Sequence, residues 1–177
     1  MSGLASDDIT PWLPPEDLER VRRQVPMLYV DVLPVRVDAN GQVQQVGLLL
    51  RATDGRLQRA LVSGRVLFHE TLREALTRHL EKDLGSLCLP RIPLSPQPFT
   101  VGEYFPTPGP GFHDPRQHAV SLAYVVPVDG DCQPQQDTLE VGWFTPREAM
   151  LPEVQAELVD GHSTLLQQAL AHVGRLP

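Results

Sequence analysis

The chain has 177 residues and a formal net charge of −7, a length that favours one domain with a proper hydrophobic core. The acidic charge excludes broad nucleic-acid binding, which needs a basic surface. No transmembrane run, signal peptide or lipidation motif is visible, so we expect a cytoplasmic protein without a membrane partner. Residues 1–14 are polar and rich in proline, and we predict a flexible segment there, followed by one domain over residues 15–177.

The first third of the chain is typical of a short helix followed by paired strands. Pro15 suits the first turn of a helix, and the turn residues Asp38–Gly41 predict a hairpin. The predicted elements are, in chain order, a helix over 15–24 and strands over 27–37, 43–51 and 57–62.

The segment from Gly64 to Gly85 contains the clearest helix of the sequence. Thr71 with Glu74 three residues later predicts a capping box at its start. Gly85 suits a left-handed residue after its end. The apolar residues between these caps recur at helical spacing and predict one buried face: Leu72, Ala75, Leu76, Leu80 and Leu84.

The second half of the chain begins with a proline-rich stretch over residues 88–117. An irregular segment of this length inside a domain is more often functional than idle. Ser163 is a good N-cap residue for a final helix. The predicted elements are strands over 99–105, 118–128 and 140–144, and helices that begin at Thr145 and over 163–173. This order of elements permits several α+β folds.

One spacing selects among these folds. Gly64 is followed after five residues by Glu70 and after seven more by Arg78, and Gly85 closes the segment. This pattern resembles the box of the Nudix hydrolases. The resemblance implies an α/β/α sandwich with a mixed sheet between helices. It also implies hydrolysis of a nucleoside diphosphate linked to another moiety, with Mg²⁺ or Mn²⁺ as cofactor.

The box departs from the family pattern at three positions. Where the family carries three further glutamates, this chain has His79, Lys82 and Asp83. Mg²⁺ usually takes one or two carboxylates together with substrate phosphate and water, so the resemblance implies a site with fewer protein ligands than a standard Nudix site. A lysine at a ligand position also places positive charge where a metal ion would bind.

The chain is most similar in pattern to the GDP-mannose mannosyl hydrolases, a Nudix branch that cuts at the sugar carbon. The similarity covers about residues 15–150 and implies a nucleotide-sugar substrate and a homodimer. It implies metal ligation by Asp83, by the Ser63 carbonyl and by Asp137. It assigns electrostatic or catalytic roles to Arg51, Arg65, Arg78 and Asp31.

Several of these residues also have simpler interpretations. Asp31 lies inside an apolar strand, where a carboxylate is unfavourable unless paired, so it should meet an arginine or a substrate group. Asp83 near a helix C-terminus opposes the helix dipole, which favours a ligand role. Glu70 is a supporting residue that is often structural in the family. His118 is either a structural histidine or a general base, and Asp137 alone reads as a solvated loop residue.

Two functions remain open from the sequence. The first is a divergent Nudix hydrolase, in which the metal and the arginines stabilise the diphosphate leaving group. The second is a weakly active or inactive Nudix-fold module that binds a nucleotide or a protein. The family's base position is occupied by Thr138, which cannot act as a base near neutral pH.

Overall fold

The computed structural model describes residues 12–177. Its helices are α1 (Pro15–Arg22), α2 (Leu72–Leu84), α3 (Pro146–Ala149), α4 (Pro152–Glu157) and α5 (His162–His172). Its strands are β1 (Met27–Val37), β2 (Val43–Thr53), β3 (Arg56–Ala60), β4 (Val62–Arg65), β5 (Thr100–Phe105), β6 (Phe112–His113), β7 (Ala119–Pro127) and β8 (Thr138–Phe144). Most of the segment predicted to be flexible lies outside the described residues.

The strands form one mixed eight-stranded sheet in the order β3-β2-β1-β7-β5-β6, with β4 paired to β1 and β8 paired to β2. Strand β1 is central, because it runs parallel to β7 along one edge and pairs antiparallel with β2 and β4 along the other. This register places Ser63 opposite Asp31 on one side and Ala123 opposite Asp31 on the other.

Two apolar layers lie on the two faces of this sheet. On one face the apolar side of α2 packs against β1, β4 and β7 through residues such as Leu76, Leu80 and Leu84. On the other face α5 packs against the sheet through Leu165, Leu166 and related side chains. Each buried leucine contributes about 1.5–3 kcal/mol relative to an exposed one. The predicted α/β/α sandwich is confirmed.

The predicted start of α2 is also confirmed. Thr71 Oγ1 accepts a hydrogen bond from the Glu74 N–H at 3.2 Å, and the Glu74 carboxylate accepts one from the Thr71 N–H at 2.8 Å. Gly85 ends the helix with a positive φ of 87°, as expected for glycine, but its ψ of 157° lies outside the left-handed helical region.

Three local predictions differ from the structure. The predicted strand 57–62 is two strands, interrupted at Leu61, whose N–H donates to His162 Nδ1 instead of to a neighbouring strand. The N-cap of the last helix is Gly161, with a φ of 81°, so Ser163 as N-cap was wrong. Ser163 Oγ donates to Gln155 Oε1 instead. The elements α4 and β6 were not predicted, because segments of six and two residues are too short to show a periodic pattern.

Candidate active site

A cavity of about 370 Å³ opens on the α5 side of the central strands. Strands β1 to β5 and β7, with Leu61 between β3 and β4, contribute its walls. The rest of the lining comes from residues 113–117 and from Val159, Asp160 and His162. This volume lies at the lower end of the range for small-molecule sites. The proline-rich segment predicted to be functional therefore supplies part of the cavity.

Asp31 is the buried acid of this cavity, with 2% of its surface exposed. Its Oδ2 atom accepts hydrogen bonds from Ser121 Oγ at 2.6 Å and from the Tyr104 hydroxyl at 3.4 Å. Burial alone would raise the pKa of Asp31, but the neighbouring His162 and the hydroxyls of Ser121 and Ser63 outweigh it and lower that pKa. The carboxylate is therefore ionised at neutral pH, and its partners are hydroxyls and an imidazole rather than an arginine.

His162 lies beside this carboxylate in the cavity lining and was not anticipated from the sequence. Its Nδ1 atom accepts the Leu61 N–H at 3.0 Å, so a neutral ring carries its proton on Nε2. Nε2 lies 3.4 Å from Asp31 Oδ1. Nδ1 is thus hydrogen-bonded within the protein, and Nε2 faces Asp31 without the alignment of a hydrogen bond. This arrangement suits His162 for orienting Asp31.

Arg51 connects the cavity to the box helix. Arg51 is one of the residues that line the cavity, and its Nη2 atom lies 2.8 Å from Asp83 Oδ2, without the alignment of a hydrogen bond. Lys82 Nζ lies 3.5 Å from the other oxygen of the same carboxylate. The Asp83 side chain is only 2% exposed, so this buried charge is balanced by two protein cations.

These contacts bear on the metal that the resemblance implies. Mg²⁺ and Mn²⁺ prefer several oxygen ligands, yet residues 12–177 contain no group of three or more His, Cys, Asp or Glu arranged to hold a metal ion. Asp83 already pairs with Arg51 and Lys82, and Asp137 is exposed in the turn before β8. The donor set present does not fit a resident divalent ion. The assignment of Asp83, Ser63 and Asp137 as ligands remains a prediction.

Glu70 and Arg78 brace the loop that precedes α2. Arg78 donates two hydrogen bonds to the Glu70 carboxylate at 2.6 and 2.9 Å, and a third to the Arg65 carbonyl at 2.9 Å. Glu70 also accepts the Leu67 N–H at 2.9 Å. Burial would raise the pKa of Glu70, but the hydrogen bonds from Arg78 and Leu67 lower it. This geometry supports a structural role for Glu70. Of the three predicted arginines, Arg51 lines the cavity, and Arg65 and Arg78 do not.

His79, at a glutamate position of the family box, fills the space beside Gly64. Its ring is 4% exposed, and its Nε2 atom lies 2.9 Å from the Arg65 carbonyl oxygen. Burial, with smaller effects of Arg78 and Lys82, lowers its pKa, so the ring is neutral and donates from Nε2. A Cβ atom at Gly64 would overlap this ring. The buried position of the His79 ring is therefore compatible only with a residue that lacks a Cβ atom at position 64.

The other predicted residue, His118, lies outside the cavity lining. Its ring stacks on Phe105 with centroids 4.7 Å apart, which favours the structural interpretation. Arg116, in contrast, lines the cavity and was not singled out from the sequence. It pairs with Asp114 at 2.9 Å.

Comparison with known proteins gives one family and several related structures. The family model described as a domain of unknown function, DUF4916, matches residues 8–175. A solved structure from Jonesia denitrificans, described as a possible asymmetric diadenosine tetraphosphate hydrolase, is 63% identical; the match covers 87% of this chain and 98% of that chain, with a TM-score of 0.85. No curated protein matches the chain.

More distant structures agree in fold. The NUDIX domain of Shewanella oneidensis NrtR, solved with ADP ribose, is 18% identical with a TM-score of 0.61, over 91% of this chain and 94% of that one. A NUDIX hydrolase from Nitrosomonas europaea is 20% identical with a TM-score of 0.59, over 86% of this chain and 75% of that one. At these identities the likeness concerns the fold alone.

Proposed function

The chain belongs to the DUF4916 family and has a Nudix fold, and we propose that it hydrolyses a nucleoside diphosphate linked to another moiety. The observation that carries this proposal is the cavity joined to the box helix through Arg51. The relative from Jonesia denitrificans supports the substrate class, because diadenosine tetraphosphate contains a nucleoside diphosphate joined to a further group. The narrower predictions of a nucleotide sugar and of a homodimer remain predictions.

The side chains divide the cavity by charge. The buried, ionised Asp31 disfavours phosphate, whereas Arg51 connects the cavity lining with Asp83 of α2. We place the nucleoside or other uncharged moiety near Asp31 and the diphosphate near Arg51. A guanidinium presents planar paired donors that match phosphate oxygens, and Lys82 adds a second positive charge beside Asp83.

These cations would stabilise the leaving group. Attack of water breaks a bond to the bridging oxygen, and negative charge develops on the departing phosphate. Arg51 lies 2.8 Å from the buried Asp83 carboxylate and already stands beside the cavity, so it needs little reorganisation to stabilise that charge. Lys82, 3.5 Å from the same carboxylate, adds to the positive potential there. Because the donors do not fit a resident Mg²⁺ or Mn²⁺ ion, we assign the positive charge at this place to the protein itself.

A second function is favoured by the same contacts. A cation pair in place of a metal would also suit a module that binds a nucleotide without turning it over. Among residues 12–177 no helix is long and apolar enough to cross a bilayer.

Product release from a panel of diadenosine tetraphosphate, ADP-ribose and GDP-mannose distinguishes the two. We expect turnover of at least one compound, reduced about 100-fold or more by Arg51→Ala, the scale of losing one preorganised donor. Arg56→Ala is the matched control, since Arg56 is exposed at the start of β3 and outside the cavity lining. Tight binding without any turnover would instead support the binding module.

A further inference from the structure

We propose that Asp31 determines the specificity of the cavity by accepting hydrogen bonds from a ligand group with two adjacent N–H or O–H donors, and that His162 positions it. The inference rests on the proposed function only for the general class of ligand. Two groups in nucleoside diphosphate derivatives carry such donors: the N1–H and 2-amino edge of guanine, and the vicinal diol of a sugar.

The first argument is an unsatisfied acceptor. Asp31 Oδ1 is buried and makes no hydrogen bond within residues 12–177, although His162 Nε2 lies 3.4 Å away. Oδ2 is the better satisfied oxygen, since Ser121 and Tyr104 both donate to it. A buried acceptor without a donor is costly. A ligand that brings donors to this carboxylate would remove that cost.

The second argument is the balance of charge around Asp31. The groups that face it are Ser63 from β4, Tyr104 from β5, Ser121 from β7 and His162 from α5. All of them are hydroxyls or an imidazole. The two arginines of the cavity lining pair with other carboxylates, Arg51 with Asp83 and Arg116 with Asp114. The negative charge of Asp31 is therefore available to a ligand.

The third argument is rigidity. His162 is fixed by the Leu61 N–H at 3.0 Å, at the interruption between β3 and β4. Its remaining nitrogen presents a proton towards Asp31 Oδ1. Burial and the nearby carboxylate raise the pKa of Tyr104 far above its ordinary value, so its hydroxyl remains a donor to Oδ2. The carboxylate is thus held in one orientation, which a group that selects ligands by donor geometry requires.

The test compares ligands before it compares variants. The affinities of GDP, IDP, ADP and 2′,3′-dideoxy-ADP for the unmodified protein would be measured by calorimetry. GDP and IDP differ in the 2-amino donor, and ADP and its dideoxy form differ in the diol. If Asp31 meets guanine, GDP should bind about tenfold or more tightly than IDP. If it meets the diol, GDP and ADP should bind alike, and the dideoxy compound about tenfold or more weakly. Equal affinity for all four compounds, or no binding, would overturn the inference.

Variants then locate the preference. Asp31→Asn should abolish the ligand preference, whereas Asp54→Asn, in an exposed turn outside the cavity lining, should retain it. His162→Leu should reduce the ratio of affinities more than the affinity of the poorer ligand, and His162→Gln, which keeps a donor, should restore part of the ratio. A uniform loss across ligands would show that His162 is merely structural.

These experiments test the role of Asp31 separately from the proposed hydrolase activity. The inference depends on affinity ratios, and the hydrolase proposal depends on release of product. Donor preference without turnover would retain the role of Asp31 and reject the hydrolase. Turnover without donor preference would do the reverse.

Discussion

Replacement of Gly64 by alanine gives the sharpest structural test of the divergent box. A methyl group there would lie within 2.5 Å of three ring atoms of His79, whereas carbon atoms in contact prefer about 3.5–4.0 Å. The ring cannot easily move, because it is 4% exposed and its Nε2 is bonded to the Arg65 carbonyl. Overpacking of this kind typically costs about 1–3 kcal/mol. We expect Gly64→Ala to lower the free energy of unfolding by that amount.

The measurement is urea denaturation at constant m-value, with His79→Ala and the double variant completing a mutant cycle. In the His79→Ala background the methyl group gains space, so the cost of Gly64→Ala should nearly vanish. Gly109→Ala is the control, because a Cβ there meets its nearest neighbour, the Thr107 carbonyl oxygen, at 4.0 Å. An equal cost of Gly64→Ala in both backgrounds would refute the contact between Gly64 and His79.

Three further predictions concern charge. The pKa of Glu70 is lowered in the folded state, so this carboxylate stabilises the fold above its ordinary value of 4.5 and loses that effect as the pH falls through the folded value. The difference in unfolding free energy between the wild type and Glu70→Gln should therefore shrink below about pH 4.5. A difference that does not change with pH would contradict this role of Glu70. Arg51→Met should lower the free energy of unfolding by up to roughly 3 kcal/mol, because Asp83 loses its nearer cation while Lys82 remains. Chemical denaturation should show that the double variant Arg51→Met/Asp83→Leu regains part of this stability. If the effects of the two substitutions simply add, the two side chains do not stabilise each other. Lys82→Glu places a second carboxylate beside Asp83 and should create a site for Mn²⁺. Mn²⁺ at about a hundred times its Kd should then raise the Tm of that variant by about 5–11 °C and leave the Tm of the wild type unchanged. An equal rise in both proteins would show that the wild-type donors do hold a metal.

Much of the fold is encoded in patterns that are local in the sequence. The turn residues Asp38–Gly41 predicted the first hairpin, and the capping box at Thr71 predicted the start of α2. Such signals involve neighbouring residues whose contacts depend on spacing alone. The spacing of Glu70 and Arg78 likewise marked a segment in which these two side chains do meet.

The surroundings of Asp31 could be predicted only in part. Burial of an acid in an apolar strand indicated that it needs partners, but not which ones. Its actual neighbours come from β4, β5, β7 and α5, and His162 meets Leu61 across a separation of 101 residues. Those contacts follow from strand order and from which side of α5 faces the sheet, neither of which the local sequence determines. The pairing of Asp83 with Arg51 also depends on the tertiary fold.

Hydrolysis in ¹⁸O-labelled water tests the central claim most directly. The protein would be incubated with diadenosine tetraphosphate, ADP-ribose and GDP-mannose, and the products would be identified by mass spectrometry. The account predicts a labelled product from at least one compound, released far more slowly by Arg51→Ala than by Arg56→Ala. The position of the label shows whether phosphorus or a sugar carbon is attacked. Absence of any labelled product from all three compounds would contradict the proposed hydrolase.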